Sequence, residues 1–539
     1  MMAVHGASAG NKSSIILDAG PTVVFWGLVI SLVWFGIQRV RLVFRSDLGS
    51  LPGPQAARWT GLYRPWMLRN GGAHDFYRML HRKYGTVVRT APNVVSVSDP
   101  KAIATMYAIG TKFYKTGFYS VFDMWYKDKA MPSMFSVRDP AEHQALRRPV
   151  AQKFSMSSIK AMEPFADDCT DIFMEAMADL AGQDIDLGVW LQWYAFDVIA
   201  AITFHRRLGF MEQRRDVHNM IDDIGKALEV AALIGQVPSI HPWLMGNKWF
   251  AKFIAWQPIV KVPDPLRTVV KVSCRSAGTA DPHVDMLKFT EECIEEYDRH
   301  PPEKDRPDFL GWLRQTNAKG EVMPDREIVN HLANNLLAGS DTTAISLRAI
   351  FYYLAKDPRC YQKAQREVDD ADRDGLLSEH VTYAECLQLP YLQAAMKEAM
   401  RCNPGVSFPL ERTVPPGGAE ICGVRFGPGT IVGINPAVIH HDKSVFGEDA
   451  AEFNPERWLT SDDERIKYMD RHLMTFGYGS RTCIGKNISI MEMGKLVPQV
   501  LRNFDLEWAS PRETWKVETF WFARQEGLVY RLKRRQSGR

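Results

Sequence analysis

Cys483 stands in the run Phe476-Gly-Tyr-Gly-Ser-Arg-Thr-Cys-Ile-Gly485, a turn framed by three glycines with an arginine two places before the cysteine. The thiolate is the form of cysteine that binds metals, and exposed amides in such a turn can hydrogen-bond the anion and lower the thiol pKa. Glycine permits positive φ and lets a bulky flat group approach the backbone with no Cβ in the way. Phe476 then packs on that group, and Arg481 reaches a carboxylate on its rim. The plain alternative is a glycine-rich turn around a small buried thiol, the commoner fate of a free cysteine. The company of three glycines, Phe476 and Arg481 around one cysteine weighs against it.

A second cluster, Ala338-Gly-Ser-Asp-Thr-Thr343, lies inside the apolar helical pattern of His331 to Ala355. Gly339 weakens a helix, and threonine hydroxyls bond back to the preceding turn and bend it. The expected result is a local distortion with room for a small molecule and a water. Taken alone, the segment reads as a kink or an N-cap, and its place upstream of the cysteine turn favours the functional reading. A third pair, Glu398 and Arg401, shares one face of the helix around Tyr391–Arg401, with Pro455-Glu-Arg-Trp458 further on.

The pattern F-x-x-G-x-R-x-C-x-G resembles the haem-ligand loop of cytochromes P450, and every defining position is filled. The segment A-G-x-D-T, the E-x-x-R pair and P-E-R-W occur in the family's order. The resemblance implies that Cys483 is the axial ligand of haem b, with Phe476, Gly479, Arg481 and Gly485 around it. Asp341 and Thr342 take the family's acid–alcohol positions and are the implied catalytic residues. Glu398, Arg401 and Arg457 are implied to form a buried charge network that braces the cysteine loop. The propionates call for cations: Arg481, Arg412 in Leu410-Glu-Arg-Thr-Val414, and Arg147 with His143, where the family usually has W-x-x-x-R and this chain replaces the tryptophan. Leu80-His-Arg-Lys-Tyr-Gly85 through Asp99-Pro100 is most similar to fungal microsomal members of the pisatin demethylase type.

The whole chain sets bounds on this reading. It has 539 residues, 46% hydrophobic and 24% charged, with a net charge of +3. That is ordinary globular composition, and the charge balance is too mild for a nucleic-acid partner. Eight cysteines at 169, 274, 293, 360, 386, 402, 422 and 483 never fall in C-x-x-C spacing. No zinc or iron–sulfur site is indicated, and the sparse unpaired thiols fit a reducing compartment. Residues 19–37 carry no charge, long enough to cross a bilayer, and Arg39, Arg41 and Arg45 follow. By the positive-inside rule this is an uncleaved, single-pass signal anchor with a cytosolic body, since the signs of a cleaved signal peptide are missing. Leu51-Pro-Gly-Pro54 is a stiff hinge that helix cannot cross. The boundaries expected are 1–45 for the lumenal N-terminus and anchor, 46–55 for the hinge and 56–539 for the catalytic domain. Asn11-Lys-Ser13 is a glycosylation sequon on the lumenal side.

Within the body, 86–90 and 94–98 read as strands around the turn Ala91-Pro-Asn93, and Asp99-Pro100 opens a helix. The aromatic stretch Phe113–Phe135 reads as a long functional loop. Glu142–Ser155 reads as one helix, and helices dominate to about residue 400, with proline-punctuated breaks near 238–265 and 300–307. A second β region starts near Arg412, and the end reads as a hairpin of Thr519–Phe522 with Gly527–Arg531. The expected fold class is mainly α with small β-sheets, one large P450-fold domain behind one transmembrane helix.

The function this predicts is a haem-dependent monooxygenase of the endoplasmic reticulum membrane. It uses O2 and NADPH electrons, delivered by a separate NADPH-cytochrome P450 reductase because no flavin or nicotinamide module is apparent. Arg148, Lys153 and Lys486 form a candidate docking face. The substrate is expected to be a lipophilic small molecule that is hydroxylated, epoxidised or dealkylated, in fungal secondary metabolism (terpenoid, polyketide or alkaloid). Detoxification of a plant defence compound or oxidation of a fatty acid is the alternative. A peroxide isomerase or dehydratase is less favoured because Asp341 and Thr342 are both kept, and a haem sensor or carrier without turnover is the non-enzymatic alternative. Phe113–Phe135, Val406–Phe408 and Phe520–Phe522 are expected to line the pocket.

Overall fold

The computed structural model describes residues 13–127, 129–238, 282–302, 307–315, 320 and 322–535. Asn11 and most of the two proline-punctuated stretches lie outside the described residues. The chain opens with one long helix (α1, Ser13–Val43). Its span Phe25–Val43 has mean hydropathy 1.3 and is only 6% buried, whereas the equally apolar Leu187–Phe204 is 94% buried. Burial separates the two: the first is a candidate membrane span and the second is core. The helix carries Arg39 and Arg41 before it stops. The helix backbone is satisfied internally, so those two arginines do not end it.

The end of α1 is tied to the body by one side chain. Arg89 is fully buried and donates to the carbonyls of Leu42, Val43, Leu48 and Pro92 at 2.7–3.1 Å. The first two are among the last-turn carbonyls that a helix leaves without partners. Arg89 sits on β1 (Val87–Ala91), next to β2 (Val94–Val97). These join β3 (Tyr114–Lys115), β4 (Arg412–Thr413) and β5 (Ile431–Ile434) in a sheet of order β1-β2-β5-β4-β3. The pairs are antiparallel except β5 on β2, which is parallel. The sheet brings residues from 115 and 412 side by side.

Helices supply the core. A short helix (α2, Pro140–Arg147) has Pro at its first position and Asp139 as N-cap, accepting from Ala141 and Glu142 amides. It ends before Pro149, so the expected single helix 142–155 is broken, and a 3-10 turn at Ala151–Phe154 completes the stretch. The apolar α3 (Leu187–Phe204) packs on the long α4 (Asp325–Lys356). Helices α5 (Pro390–Cys402) and α6 (Lys486–Asn503) bury their apolar faces in the same core. The helix after Asp99-Pro100 starts only at Ala102, because Asp99 caps the Lys101 amide and Pro100 lies in a turn.

The C-terminal hairpin is wired differently from the expectation. Lys516–Thr519 pairs with Ala523–Glu526, so Phe520–Phe522 forms the tip, and Val529–Arg534 pairs instead with Phe504–Trp508 and Asp184–Asp186. The tip Trp521 is closed into an aromatic core with Phe118, Tyr119, Phe122 and Phe408, ring centroids 5.0–5.9 Å away. Three segments expected to line a pocket therefore do converge. Phe118, Phe408 and Trp521 are fully buried packing, while Phe122, Val406 and Phe522 keep partial exposure.

Candidate active site

The cysteine turn is built by short backbone hydrogen bonds: Cys483 N–H donates to the Phe476 carbonyl at 2.8 Å, and Thr482 N–H to that of Gly479 at 3.1 Å. Gly477 and Gly479 have φ of +72° and +63°, which an L side chain rarely adopts. A Cβ on Gly479 would also collide with the Tyr107 carbonyl oxygen. Gly485 is different, since its φ of −79° is ordinary and a Cβ there meets no protein atom within 4 Å. Neither the backbone nor a protein neighbour requires that glycine. It suits the close approach of a flat group that is not protein.

Immediately after the turn α6 begins, and its first amides, at Gly485 and Lys486, point to the Cys483 sulfur. Cys483 has accessible surface, yet it lies deep among protein atoms. Burial pushes its thiol up, and the two amides with Arg147 and Lys486 pull back without cancelling that rise. The expected lowering by the turn amides is therefore outweighed by desolvation. A bound metal cation is what would hold this group as thiolate. Arg147 reaches the same turn, donating to the Thr482 carbonyl at 2.9 Å.

Behind the turn the expected charge network is present in full. The Glu398 carboxylate accepts from Arg401 Nε and Nη2 at 2.8 Å, Arg457 Nε at 2.9 Å, the Asn454 amide at 3.0 Å and Trp458 Nε1 at 2.8 Å. Glu398 and Arg401 have no exposed surface. Arg401 also donates to the carbonyls of His440, Ala450 and Glu452. The link from this network to the cysteine turn is His440, which sequence reasoning missed. Its Nδ1 donates to the Arg401 carbonyl at 3.0 Å, and its Nε2 accepts the Met474 N–H at 2.8 Å, two residues before Phe476. That pairing fixes the tautomer, because each ring nitrogen has one role.

Toward the sheet, cations gather. Lys115 and Arg412 are directly opposite each other on β3 and β4, an arrangement of like charges that costs stability. Both are buried. Burial and the nearby Arg412 and Arg481 push Lys115 well below the usual ammonium range. Burial and Arg412 likewise lower Arg481 to about 10. His143 is pushed to about 3 by burial, Arg481, Arg147 and Lys115, so its imidazole is neutral. Arg481 donates to the Val137 carbonyl at 2.8 Å, and Arg412 to that of Glu411 at 2.9 Å. The buried Glu411 carboxylate close by is taken by Arg64 and Thr116. All four predicted rim residues thus meet, with Lys115 as a fifth, around an excess of positive charge. Two haem propionates answer that excess, so the donor set fits the group. Nothing in the sequence around Lys115 marks it; its partner Arg412 lies almost 300 residues away and only the strand register brings them together.

The acid–alcohol pair sits on α4, which stays α-helical through the segment rather than opening as expected. The hydroxyls do bond back, Thr342 Oγ1 to the Ala338 carbonyl at 2.8 Å and Ser340 Oγ to that of Leu336 at 2.9 Å. Gly339 has a packing reason: a Cβ there would come within 2.7 Å of Ile199 Cγ1 on α3. Thr342 keeps partial exposure, whereas Asp341 is buried against α3, where Gln192 Nε2 donates to its Oδ1.

A thiol at a helix N-terminus, a brace behind it, cations at its rim and a hydroxyl-bearing helix define a haem-thiolate protein. The family model described as Cytochrome P450 matches residues 52–530. A cytochrome P450 monooxygenase of Aspergillus terreus is 36% identical over 487 residues, 89% of this chain and 94% of the relative. The cytochrome P450 monooxygenase cicH of Emericella nidulans is 35% identical over 519 residues, covering 95% and 98%. That named cfoH, of Aspergillus candidus, is 34% identical over 537 residues, covering 96% and 94%. The chain belongs to the cytochrome P450 family. It is a monooxygenase, an oxidoreductase with a haem-thiolate cofactor that receives its electrons from a redox partner.

Proposed function

We propose that the chain is a membrane-anchored monooxygenase that holds haem b through Cys483 and oxidises an apolar intermediate of fungal secondary metabolism. The observation that carries the cofactor reading is the rim cluster of Lys115, Arg412, Arg481 and Arg147 beside the Cys483 turn, where among the described residues the buried Glu411 is already taken by Arg64 and Asp139 is the carboxylate that acts on Arg481. The haem, when bound, supplies oxygen activation. The chain's own residues do the rest. Gly485 leaves room for the macrocycle, the α6 amides and Arg147 favour the thiolate, and His440 holds the turn to the Glu398 network. Thr342 holds a hydrogen bond on the oxygen side, and Asp341 moves the proton. Electrons come from NADPH through a separate reductase, for which Arg148, Lys153 and Lys486 form the docking face. The α1 helix seats the enzyme on the endoplasmic reticulum membrane with the body in the cytosol.

A terpenoid, polyketide or alkaloid substrate suits the partly exposed Phe122, Val406 and Phe522. A defence-compound detoxifier is the second reading, and retention of Asp341 with Thr342 argues against a peroxide isomerase. The test is a Thr342→Ala variant, assayed with reductase and NADPH. It should fold, load haem and consume NADPH, while releasing more hydrogen peroxide per product. Unchanged coupling removes Thr342 from proton handling.

A further inference from the structure

Helices α3 and α4 run antiparallel, with Gly339 against Ile199 at one end of the crossing and Arg348 against Gly188 at the other. Between these contacts three buried polar side chains form one line. Arg348 Nη2 donates to Gln192 Oε1 at 2.5 Å, and Gln192 Nε2 donates to Asp341 Oδ1. Arg348 Nε is held by the Gly188 carbonyl at 2.9 Å. A Cβ on Gly188 would lie 3.2 Å from that Nε, so glycine leaves the guanidinium its place. Gln192, Asp341 and Arg348 are 3%, 3% and 7% exposed, too buried for water to substitute for these contacts.

Asp341 and Arg348 lie two turns apart on one helix, roughly 10 Å along its axis, too far to pair directly. The amide spans the gap with its dipole aligned: carbonyl oxygen on the cation, N–H on the carboxylate. Other charges near Arg348 are Asp186 and Glu526, which favour the cation, and Arg524, which opposes it. Burial and Arg524 lower Arg348 to about 10, so it stays charged at neutral pH. The second carboxylate oxygen, Asp341 Oδ2, is buried and has no hydrogen-bond partner among the described residues.

We propose that Gln192 is the positioning residue of the acid–alcohol pair: it fixes Asp341 Oδ1 against α3, with Arg348 behind it, and leaves Oδ2 as the oxygen that takes up and releases the proton. This rests on the reading of Asp341 as the proton-transfer acid. An amide does not readily pass a proton along this line, so the role of Gln192 is orientation and not conduction. Replacing it by Met keeps the volume, removes both hydrogen bonds and lets the carboxylate turn.

The test uses full-length, haem-loaded enzyme and needs no substrate. Reductase and NADPH are supplied in air without substrate, so that two electrons and two protons carry O2 to hydrogen peroxide, and NADPH oxidation and peroxide release are timed in H2O and in D2O. Gln192→Met should slow both about tenfold and change their solvent isotope effect, as Asp341→Asn does, within the range that positioned proton transfer supplies. The double variant should be no slower than Asp341→Asn alone, because both act on one carboxylate. A readout independent of haem is urea unfolding of the same four proteins, where Gln192 and Asp341 should show a non-zero coupling. If Gln192→Met fails to fold, Gln192→Asn, too short to reach both partners, carries the same prediction. A wild-type rate and isotope effect in Asp341→Asn would overturn the reading of Asp341 and this inference with it. A slowed Asp341→Asn beside an unchanged Gln192 variant, or strictly additive effects, would overturn this inference alone.

Discussion

His440→Leu tests whether the buried charge network is mechanically joined to the cysteine turn. The imidazole has no exposed surface and makes two hydrogen bonds, to the Arg401 carbonyl and from the Met474 amide. Neither group has another way to water, since one lies in the last turn of α5 and the other is in the core. Leaving a buried polar group unpaired costs ~1–3 kcal/mol, so the variant should lose about 2–6 kcal/mol at pH 7. The pH dependence gives a second, independent number. Burial, with the nearby Arg401, lowers His440 from 6.5 to about 3. Below 6.5 the unfolded chain takes up a proton that the folded protein refuses, so stability is full above that pH and falls as pH drops toward 3. Between pH 7 and pH 5 the fall is about 2 kcal/mol for this one group. Leucine has no such term, so the variant's deficit should shrink by about 2 kcal/mol at pH 5. Urea unfolding at both pH values, read by tryptophan fluorescence and by the haem absorbance, measures both effects. A loss under ~1 kcal/mol at pH 7 with an unchanged pH slope would refute the reasoning.

Arg401→Leu leaves the Glu398 carboxylate buried with fewer donors, at a cost of ~3–5 kcal/mol. Unfolding midpoints near wild type would show that Arg457 and Trp458 suffice for that carboxylate. Lys115→Met should have opposite effects on the two forms. The haem-free protein gains stability by losing a buried cation next to Arg412, while haem transfer to apomyoglobin speeds up on the order of tenfold. Equal effects of one sign on both forms would detach Lys115 from the propionates. Protease treatment of intact microsomes should digest the body and leave a small protected fragment containing Phe25–Val43. A fully protected, N-terminally processed protein would mean a cleaved signal peptide.

What could be read from the sequence was local. The cysteine turn and the E-x-x-R pair are short-range patterns legible from residue type and spacing, and the structure brings the residues of each together, though burial outweighs the turn amides at the Cys483 thiol. The third member, Arg457, needed a second motif to place it. Lys115 and His440 carry no local signal: their roles come from strand register and from a tertiary hydrogen bond to Met474. Gln192 did leave a trace, since it and Asp197 are strongly polar residues in a largely apolar helix that is buried on nearly every side. Gly339 was read as a weak point in α4, when the close approach of Ile199 explains it. The hairpin was misplaced for a similar reason. Gly527 looks like a turn and Phe520–Phe522 does not, yet burial of Trp521 among five aromatic rings outweighs turn propensity.

Ligation of the haem iron by Cys483 is decided by the spectrum of the reduced carbon monoxide complex. Wild-type protein should show the red-shifted Soret band of thiolate ligation. Cys483→Ala, with the turn backbone held by Gly477, Gly479 and the Phe476 carbonyl, should fold and lose that band entirely. Survival of the band in Cys483→Ala would contradict the assignment and everything built on this turn.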